Sequence, residues 1–358
     1  MTKPDPFYKR ITTVLFGLIL FVYVLSMLAD ILIPLAFSVL IAILLNPLCN
    51  RFQGFGWPKV LSILLTLLIT FVLLGGLFYF LSFQIIQFGE MMPQLKDKLV
   101  QLLIDLQQYV ENTFGVSIQR QTQYLKDTAT GNKALVGQTI SSALGMFGLL
   151  FLMPVYVFLL LFYKTLILDF LFEVFARKDS QSVAEIIQES KSAIQSYVVG
   201  LLIETSIVAV LNAAALMILG VPYGILLGVI GAFLNLIPYI GGLIAVVLPV
   251  LMATVTEDGY TTQLGVVGAY VVIQFIDNNI LVPRVVSSKV QINALVSIIV
   301  VLLGGALWGV AGMFLAILFV AFLKIIFDRI DVLKPWGRLL GTQLPRHHKQ
   351  RDREITKV

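Results

Sequence analysis

The chain has 358 residues, of which 58% are hydrophobic and only 13% are charged, and its formal net charge is +5. Because a soluble domain is usually about 45 to 50% apolar and about 25% charged, this composition excludes an ordinary soluble protein and predicts an all-α polytopic membrane protein. The basic residues flank apolar runs, which favours the lipid bilayer as a partner, and nucleic acid is not expected. The single Cys49 excludes an internal disulfide and a thiolate metal cluster.

The first half of the chain contains four apolar runs, each close to the roughly 20 residues that cross a bilayer. They cover residues 11–29, 31–47, 60–83 and 140–163. Only Asp30 separates the first run from the second, so we expect these two helices to form a tight hairpin.

The segment between the third and fourth runs, residues 84–137, is the least apolar part of the chain apart from the tail. Apolar side chains recur there at three- and four-residue spacing, with charges on the opposite face: Leu95, Leu99, Leu102, Leu106 and Tyr109. This spacing predicts an amphipathic helical insertion outside the bilayer core. Residues 164–195 carry basic side chains among Phe and Ile, which predicts a membrane-surface helix, and a solvated helical connector fits the pattern equally well.

The second half contains further apolar runs and ends in a different kind of element. The runs are residues 197–219, 221–237, 239–255 and 265–282. A final pair, residues 292–303 and 306–323, is joined by Gly304 and Gly305, and its first member is too short for a crossing. We therefore predict about eight transmembrane helices plus a C-terminal re-entrant or hairpin element.

The basic residues indicate the orientation of the chain. If the crossings alternate in direction, the basic residues that flank short loops, from Lys9 to Lys334, all fall on one side of the membrane. This predicts that both termini are cytoplasmic. We expect one polytopic transport domain over residues 1–328 and a polar basic tail over residues 329–358. Both His residues lie in that tail and are expected to be solvated.

The residue types that carry catalysis are missing from the apolar runs. No Ser, His and Asp set and no Gly-x-Ser-x-Gly elbow lies at membrane depth, so catalytic residues are not expected. No phosphate-binding Gly-rich loop with a following Lys and Ser or Thr is present either. We therefore expect no enzyme activity, no cofactor and no metal, and any transport is expected to be driven by gradients.

Two carboxylates fall within apolar runs, and such charges are costly at bilayer depth and usually mark functional sites. Glu204 lies in "VVGLLIETSIVAVLN", and Asp277 lies near the end of a run with Asn278 and Asn279. For Glu204 we favour a functional role. For Asp277, an interfacial carboxylate paired with Arg284 explains the sequence equally well, and both interpretations stay open.

Glycine and proline give a second signal in "LGVPYGILLGVIGAFLNLIPYIGGLIAVVLPV". Around Asn235 and Pro238 we expect a broken helix, which forms substrate sites in many transporters, although a tight hairpin turn is an equal alternative. Further along, Gly305 and Gly309 have the small-xxx-small spacing that allows close helix packing. The helix-packing residues predicted in this region are Gly304, Gly305, Gly309 and Gly312.

Three stretches of the second half combine these features: "LGVPYGILLGVIGAFLNLIPYIGG", "QFIDNNILVPRVVSSKVQINALV" and "GGALWGVAGMFLAI". In residues, order and spacing they resemble the autoinducer-2 exporter family of bacterial permeases, most strongly over residues 197–327. The resemblance implies a bacterial inner-membrane protein that exports small solutes, including a signalling furanone, without ATP hydrolysis. It also implies a homo-oligomer, with a pentamer as the suggested size, and in some relatives antiport of sodium or lithium against protons.

The resemblance also assigns residues. Pro238, Tyr239 and Gly241 fit the family's Pro-Tyr-x-Gly turn, and Gln274, Asp277, Asn279, Leu281 and Pro283 fit its Gln-x-x-acidic-x-Asn-x-Leu-x-Pro run. Gly242 stands where Pro is usual in the family, as do Ala294 and Leu318, and Ser287 stands where Gly is usual. The predicted transport path therefore comprises Glu204, Asn235, Pro238, Tyr239, Gly241, Gly242, Gln274, Asp277, Asn278, Asn279, Pro283 and Arg284.

Three functions remain open from the sequence. The leading hypothesis is a gradient-driven exporter of a small polar solute that works by alternating access. The second is a Na⁺ or Li⁺ to proton antiporter in which Glu204 or Asp277 exchanges a proton for an ion. The third is a non-transporting membrane scaffold whose amphipathic insertion and surface helix bind partners.

Overall fold

The structure is a computed structural model that describes residues 7–123, 152–175, 180–237, 241–257, 259–286 and 292–342. These residues are helical nearly throughout and include no β-strand. The helices are α1 (Phe7–Met27), α2 (Ala29–Gly54), α3 (Lys59–Glu90), α4 (Met92–Phe114), α5 (Leu152–Phe162), α6 (Lys164–Phe175), α7 (Ser180–Ile218), α8 (Gly224–Asn235), α9 (Gly241–Thr256), α10 (Thr261–Ile276), a π-helix (Asp277–Val286), α11 (Ala294–Arg329) and α12 (Lys334–Leu340). The start of the fourth predicted crossing, the end of the predicted insertion and most of the tail lie outside the described residues.

Several helical segments are long and apolar enough to cross a membrane. Within the described residues they are Ala29–Gly54, Lys59–Glu90, Val183–Ile218, Thr261–Val285 and Ala294–Arg329, which makes 5 by length and composition. The last of these contains a break at Trp308 and Gly309 and is not one straight helix. The number rises to 6 if α5 and α6, which are bent by 63° relative to each other, form one broken span. The predicted all-α membrane architecture is therefore confirmed, whereas the count of eight crossings is not.

Two of the predicted crossings are short helices instead, because α8 has 12 residues and α9 has 16. Helix α7 ends in a Schellman motif, in which the N–H of Gly220 donates to the Met217 carbonyl at 3.1 Å and Gly220 adopts a left-handed φ of +74°. Helix α8 begins only at Gly224, and it ends at Asn235, three residues before Pro238, which has no N–H to donate. Hydropathy alone does not detect these helix ends and so overestimates the helix lengths.

Helix α7 runs without a break for 39 residues. The sequence analysis placed a boundary at residues 195–197, where a charged segment gives way to an apolar one. Neither Pro nor paired Gly lies at that point to end a helix, so the change in composition does not change the secondary structure. Helix α10 likewise continues directly into the π-helix.

The chain divides into two compact units. The first unit comprises the described residues of Met1–Ala29, Lys164–Gly200 and Pro283–Val358, and the second comprises those of Asp30–Tyr163 and Leu201–Val282. Most of the predicted path residues, from Glu204 to Asn279, fall in the second unit, whereas Pro283 and Arg284 fall in the first.

The second unit contains a tightly packed group formed by α8, α9, α10 and the C-terminal half of α7. Its buried core includes Leu216, Leu227, Met252 and Val266. A Cβ on Gly228 would lie 2.5 Å from the backbone nitrogen of Ala213, so this glycine lets α8 approach the backbone of α7 closely. This packing holds the ends of α8 and α10 in fixed positions next to α7.

The first unit contains the predicted C-terminal hairpin. Helix α11 has non-helical backbone angles at Trp308 and at Gly309, where φ is +60°. The chain reverses there, because Gly304 and Gly312 face each other so closely that a Cβ on either would collide with the carbonyl of the other. The turn therefore lies at Trp308–Gly309 rather than at the predicted Gly304–Gly305, and Gly309 forms the turn instead of a packing face.

Hydrogen bonds hold both ends of this hairpin. At its tip, the Trp308 indole N–H donates to the carbonyl of Leu25 in α1 at 3.0 Å. At its foot, the Asn293 carboxamide oxygen accepts from the Val296 N–H at 2.9 Å and caps the helix, while its Nδ2 donates to the Leu339 carbonyl of α12 at 2.6 Å.

Candidate functional site

Three polar side chains from separate helices meet inside the second unit. Glu204 lies in α7, Asn235 is the last residue of α8, and Asp277 is the first residue of the π-helix. The Asn235 Nδ2 donates to Asp277 Oδ2 at 2.8 Å and to Glu204 Oε1 at 3.2 Å. We call these three residues the carboxyl cluster. Because both carboxyl groups accept from one nitrogen, they are close neighbours and interact directly.

The carboxyl cluster is buried. Glu204 is 4% exposed and Asp277 is 2% exposed, and within the described part of the chain neither forms an ion pair with Lys, Arg or His. The Asp277 Oδ1 is buried as well and has no hydrogen-bond partner among the described residues. Two ionised carboxylates in such a place would repel each other strongly, so the arrangement favours binding of a proton or a cation.

The break between α8 and α9 brings this cluster together. A Cβ on Gly241 would collide with the Leu234 carbonyl, so the tight return of the chain after α8 requires glycine at that position. At Gly242, the missing Cβ leaves room for Gln274, and the Asn235 Oδ1 lies 3.4 Å from the place that this Cβ would occupy. Glycine at position 242 thus makes space for a fourth polar side chain, Gln274, beside the carboxyl cluster.

Four other predicted path residues are exposed. Asn278 and Asn279 are exposed, and the Asn279 Nδ2 donates to the Phe275 carbonyl of its own helix at 2.8 Å. Pro283 and Arg284 are exposed residues of the first unit. Pro238 and Tyr239 lie outside the described residues. The burial of Asp277 and the exposure of Arg284 favour an interior role for this carboxylate over an interfacial ion pair.

Sequence reasoning missed four further buried polar residues in α10 and in the part of α7 that belongs to the second unit, and we call them the polar stripe. They are Thr205 and Asn212 in α7 and Gln263 and Tyr270 in α10. Each of these side chains is neutral, so a search for charges at membrane depth does not detect them. Their spacing is the signal that could have found them. Thr205 and Asn212 are seven residues apart, and Gln263, Tyr270 and Asp277 follow one another at the same interval.

A second group of charges lies in the first unit and lines an open cavity of about 780 Å³ between α7 and α11. Arg329 donates from Nη1 to Glu185 Oε2 at 2.5 Å and from Nη2 to Glu189 Oε2 at 2.9 Å. Lys324 pairs with Asp328 at 2.5 Å. We call these five residues the charged groove. Its side chains are 20% to 50% exposed, so water screens these ion pairs.

The sequence is similar to a known protein family over most of its length. The model of the AI-2E family transporter matches residues 15–331. The chain belongs to the AI-2E transporter family. Both the carboxyl cluster and the polar stripe lie within the matched residues.

Individual relatives of this AI-2E transporter cover most of its length. The YrrI protein of Bacillus subtilis is 26% identical over 304 residues, which are 82% of this chain and 84% of YrrI. The AI-2 transport protein TqsA of Escherichia coli is 24% identical over 304 residues, which are 84% of this chain and 86% of TqsA. The YhhT protein of Escherichia coli is 23% identical over 354 residues, which are 96% of this chain and 97% of YhhT. Family membership makes this chain a bacterial inner-membrane transporter, and the family consists of transport proteins rather than enzymes.

Proposed function

We propose that this AI-2E transporter exports a small polar solute of the autoinducer-2 type, that it uses the proton gradient rather than ATP, and that the carboxyl cluster is its proton site. The observation that carries the proposal is the pair of buried carboxylates, Glu204 and Asp277, held on the single amide of Asn235. The AI-2 transport protein TqsA, one of its relatives, supports the choice of solute.

The chemistry of the pair supplies a coupling mechanism. With one proton bound, the cluster carries a single negative charge, and the Asn235 amide donates to one oxygen of each carboxyl group. When that proton leaves, two like charges remain in a poorly hydrated place, and their repulsion favours separation of the helices that carry them. Proton binding and release therefore shift the balance between a closed and an open arrangement of α7, α8 and the π-helix.

The backbone around the cluster is suited to such a movement. Asn235 lies at the end of α8, next to the break before α9, and Asp277 lies where α10 becomes a π-helix. Breaks and π-helical turns provide local freedom within otherwise rigid helices, and they occur often at functional sites. The solute path is proposed to run along this break, with Gln274, Asn235 and Gly242 at its wall and with Pro238 and Tyr239 as further members by family resemblance.

The test is efflux of labelled autoinducer-2 from proteoliposomes at equal protein density, with an imposed pH gradient. Asp277→Asn keeps the shape of the side chain and removes its charge, so we expect proton-driven efflux to fall to the background level. The matched control is Glu257→Gln, which neutralises an exposed carboxylate of the same unit and should leave efflux unchanged. Near-wild-type efflux by Asp277→Asn would remove the cluster from the mechanism.

A second candidate function, Na⁺ or Li⁺ to proton antiport, is favoured by the oxygen atoms around Gly242. The Gln274 Oε1 and the Asn235 Oδ1 both border this glycine, next to the two carboxylates, and hard cations prefer such oxygen ligands. Proteoliposomes with an internal pH dye separate the two functions. If Na⁺ and Li⁺ pulses move no protons while autoinducer-2 efflux persists, the antiport hypothesis is wrong.

Orientation and assembly belong to the same proposal. Both termini are placed in the cytoplasm, so a cysteine at Thr261, in a variant that also carries Cys49→Ala, should react with an impermeant reagent from outside the cell. Reaction only after lysis would reverse the orientation. The proposed homo-oligomer, for which a pentamer is the suggested size, is tested by native mass spectrometry, where a monomer alone would contradict it.

A further inference from the structure

The polar stripe has an unusual concentration of unsatisfied atoms. Five buried polar atoms in α10, in the first residue of the π-helix and in the part of α7 that belongs to the second unit have no hydrogen-bond partner among the described residues: Thr205 Oγ1, Asn212 Oδ1, Gln263 Oε1, Tyr270 Oη and Asp277 Oδ1. An unpaired buried polar group is costly, and native proteins contain few of them. Five such atoms in one region therefore require a common physical explanation.

These atoms lie along the inner faces of two helices. Gln263, Tyr270 and Asp277 are separated by seven residues each, so they occupy one face of α10 and of the start of the π-helix, about 10 Å apart along the axis. Thr205 and Asn212 repeat this interval on α7, and Thr205 adjoins Glu204 of the carboxyl cluster. The unsatisfied atoms thus form a line that ends at Asp277.

The middle of this line lies next to a glycine. If Gly231 had a Cβ, that atom would lie 3.3 Å from the Asn212 Nδ2 and 3.3 Å from the Tyr270 Oη. Two polar groups from different helices therefore face Gly231, and a side chain at this position would lie against both of them and 3.5 Å from the Ala245 Cβ. The Asn212 Nδ2 makes only one long bond, to the Gly228 carbonyl at 3.5 Å.

We propose that the polar stripe is a water-filled path that leads through the second unit from Gln263 past Tyr270 and Asn212 to the carboxyl cluster, and that protons reach Asp277 along it. Waters with two to four polar partners each would satisfy all five atoms together, as buried waters do in other proteins. The Tyr270 hydroxyl can accept a proton from a water on one side and pass its own proton to a water on the other, so it is unchanged after each transfer. The proton delivery rests on the proposed function, whereas the hydration of the stripe does not.

The hydration is tested by cysteine accessibility in proteoliposomes, with Cys49→Ala as the background. Charged methanethiosulfonates react with thiolates in water, so Gln263→Cys and Tyr270→Cys should react although both positions are buried. Leu264→Cys and Val271→Cys are the matched controls, because these positions are 70% and 63% exposed on the outer surface of the same helix and should lie in lipid, where the thiolate does not form. If exposure in the isolated protein alone set the reaction rates, Leu264→Cys and Val271→Cys would react faster than Gln263→Cys and Tyr270→Cys.

A cysteine also creates space when it replaces a larger residue, and Ile63→Cys controls for this effect. Ile63 is 0% exposed and lies in a separate apolar cluster of the same unit. We expect Gln263→Cys and Tyr270→Cys to react at least about tenfold faster than Ile63→Cys, since only a hydrated site ionises the thiol. Rates as slow as that of Ile63→Cys, in protein that elutes normally on size exclusion, would overturn the proposal.

The proton delivery is tested with two small substitutions. Tyr270→Phe removes only the hydroxyl, and Gly231→Ala places an apolar methyl group against Asn212 and Tyr270 without removing a polar atom. Each should slow the proton flux coupled to autoinducer-2 efflux by about tenfold, which corresponds to the loss of one buried hydrogen bond. Tyr260→Phe, at a position that is 80% exposed in the same unit, should have no effect.

The outcomes separate this proposal from the proposed function. Normal flux in both Tyr270→Phe and Gly231→Ala, while Asp277→Asn is inactive, overturns the proton path and leaves the carboxyl cluster as the coupling site. Normal flux in Asp277→Asn overturns the proposed function, and the labelling of Gln263→Cys and Tyr270→Cys still decides whether the stripe is hydrated.

Discussion

The carboxyl cluster and the charged groove both contain several charged side chains, but their surroundings differ. In the cluster, Glu204 and Asp277 are almost fully buried and share one neutral amide. In the groove, Arg329 is 40% exposed and forms an ion pair with each of Glu185 and Glu189. The groove is therefore satisfied as it stands, whereas the cluster can gain a proton or an ion. Burial without a counter-charge, rather than the number of charges, identifies the candidate site.

The largest expected difference in efflux is between substitutions of two glutamates of the same helix, α7. Glu204→Gln should reduce proton-driven efflux by roughly a hundredfold, the lower range for the loss of a group that transfers protons. Glu189→Gln, which changes the half-exposed partner of Arg329 in the charged groove, should leave efflux within about twofold, since exposed ion pairs contribute little. Equal losses in the two variants would show that the comparison between cluster and groove is wrong.

The hairpin of the first unit, which also contains the charged groove, should lose stability when a glycine at its close contact is substituted. Gly312→Ala places a Cβ against the Gly304 carbonyl, so we expect a loss of about 1 to 3 kcal/mol, as for overpacking in a core. Gly305→Ala is the matched control, because the atoms near its Cβ belong to the flexible side chain of Met313, which can move. Thermal unfolding in detergent measures both, and a control that unfolds earlier than Gly312→Ala would contradict this account.

The sequence predicted parts of this picture because some physical costs are local. Glu204 and Asp277 were found because a carboxylate in an apolar run is expensive wherever it lies. The bond between Asn235 and Asp277 joins residues 42 positions apart, and no local pattern shows that the end of α8 meets the start of the π-helix. The hairpin was predicted from helix length, but its turn was placed at Gly304–Gly305, since only the structure shows which glycine adopts a positive φ.

The polar stripe shows a different limit of the sequence. Asn212 and Tyr270 are neutral, and in an amphipathic pattern they look like ordinary variations. Their significance depends on what they contact, and this requires the facing helix and Gly231. The seven-residue spacing in α10 was visible in the sequence, but it becomes informative only when the neighbouring helices are known.

A smaller effect is expected at the hairpin tip. Trp308→Phe removes the indole N–H that bonds to the Leu25 carbonyl, so it should cost about 1 kcal/mol, the usual value of one such bond. Trp336→Phe is the control, since Trp336 is 60% exposed and should tolerate the change. The melting temperature of the purified protein measures the difference, and identical shifts in the two variants would mean that the Leu25 bond does not stabilise the hairpin.

The smallest effect is expected in the charged groove itself. Arg329→Gln removes the partner of Glu185 and Glu189, yet all three side chains are between 40% and 50% exposed, so water and salt take over much of the lost interaction. We expect a small fall in melting temperature at low ionic strength that disappears at high salt, because screening weakens the ion pairs of the wild type as well. Efflux should not change. A large, salt-independent loss of stability or of efflux would mean that these pairs are shielded from water in the working transporter, and the groove would then become a candidate site alongside the carboxyl cluster.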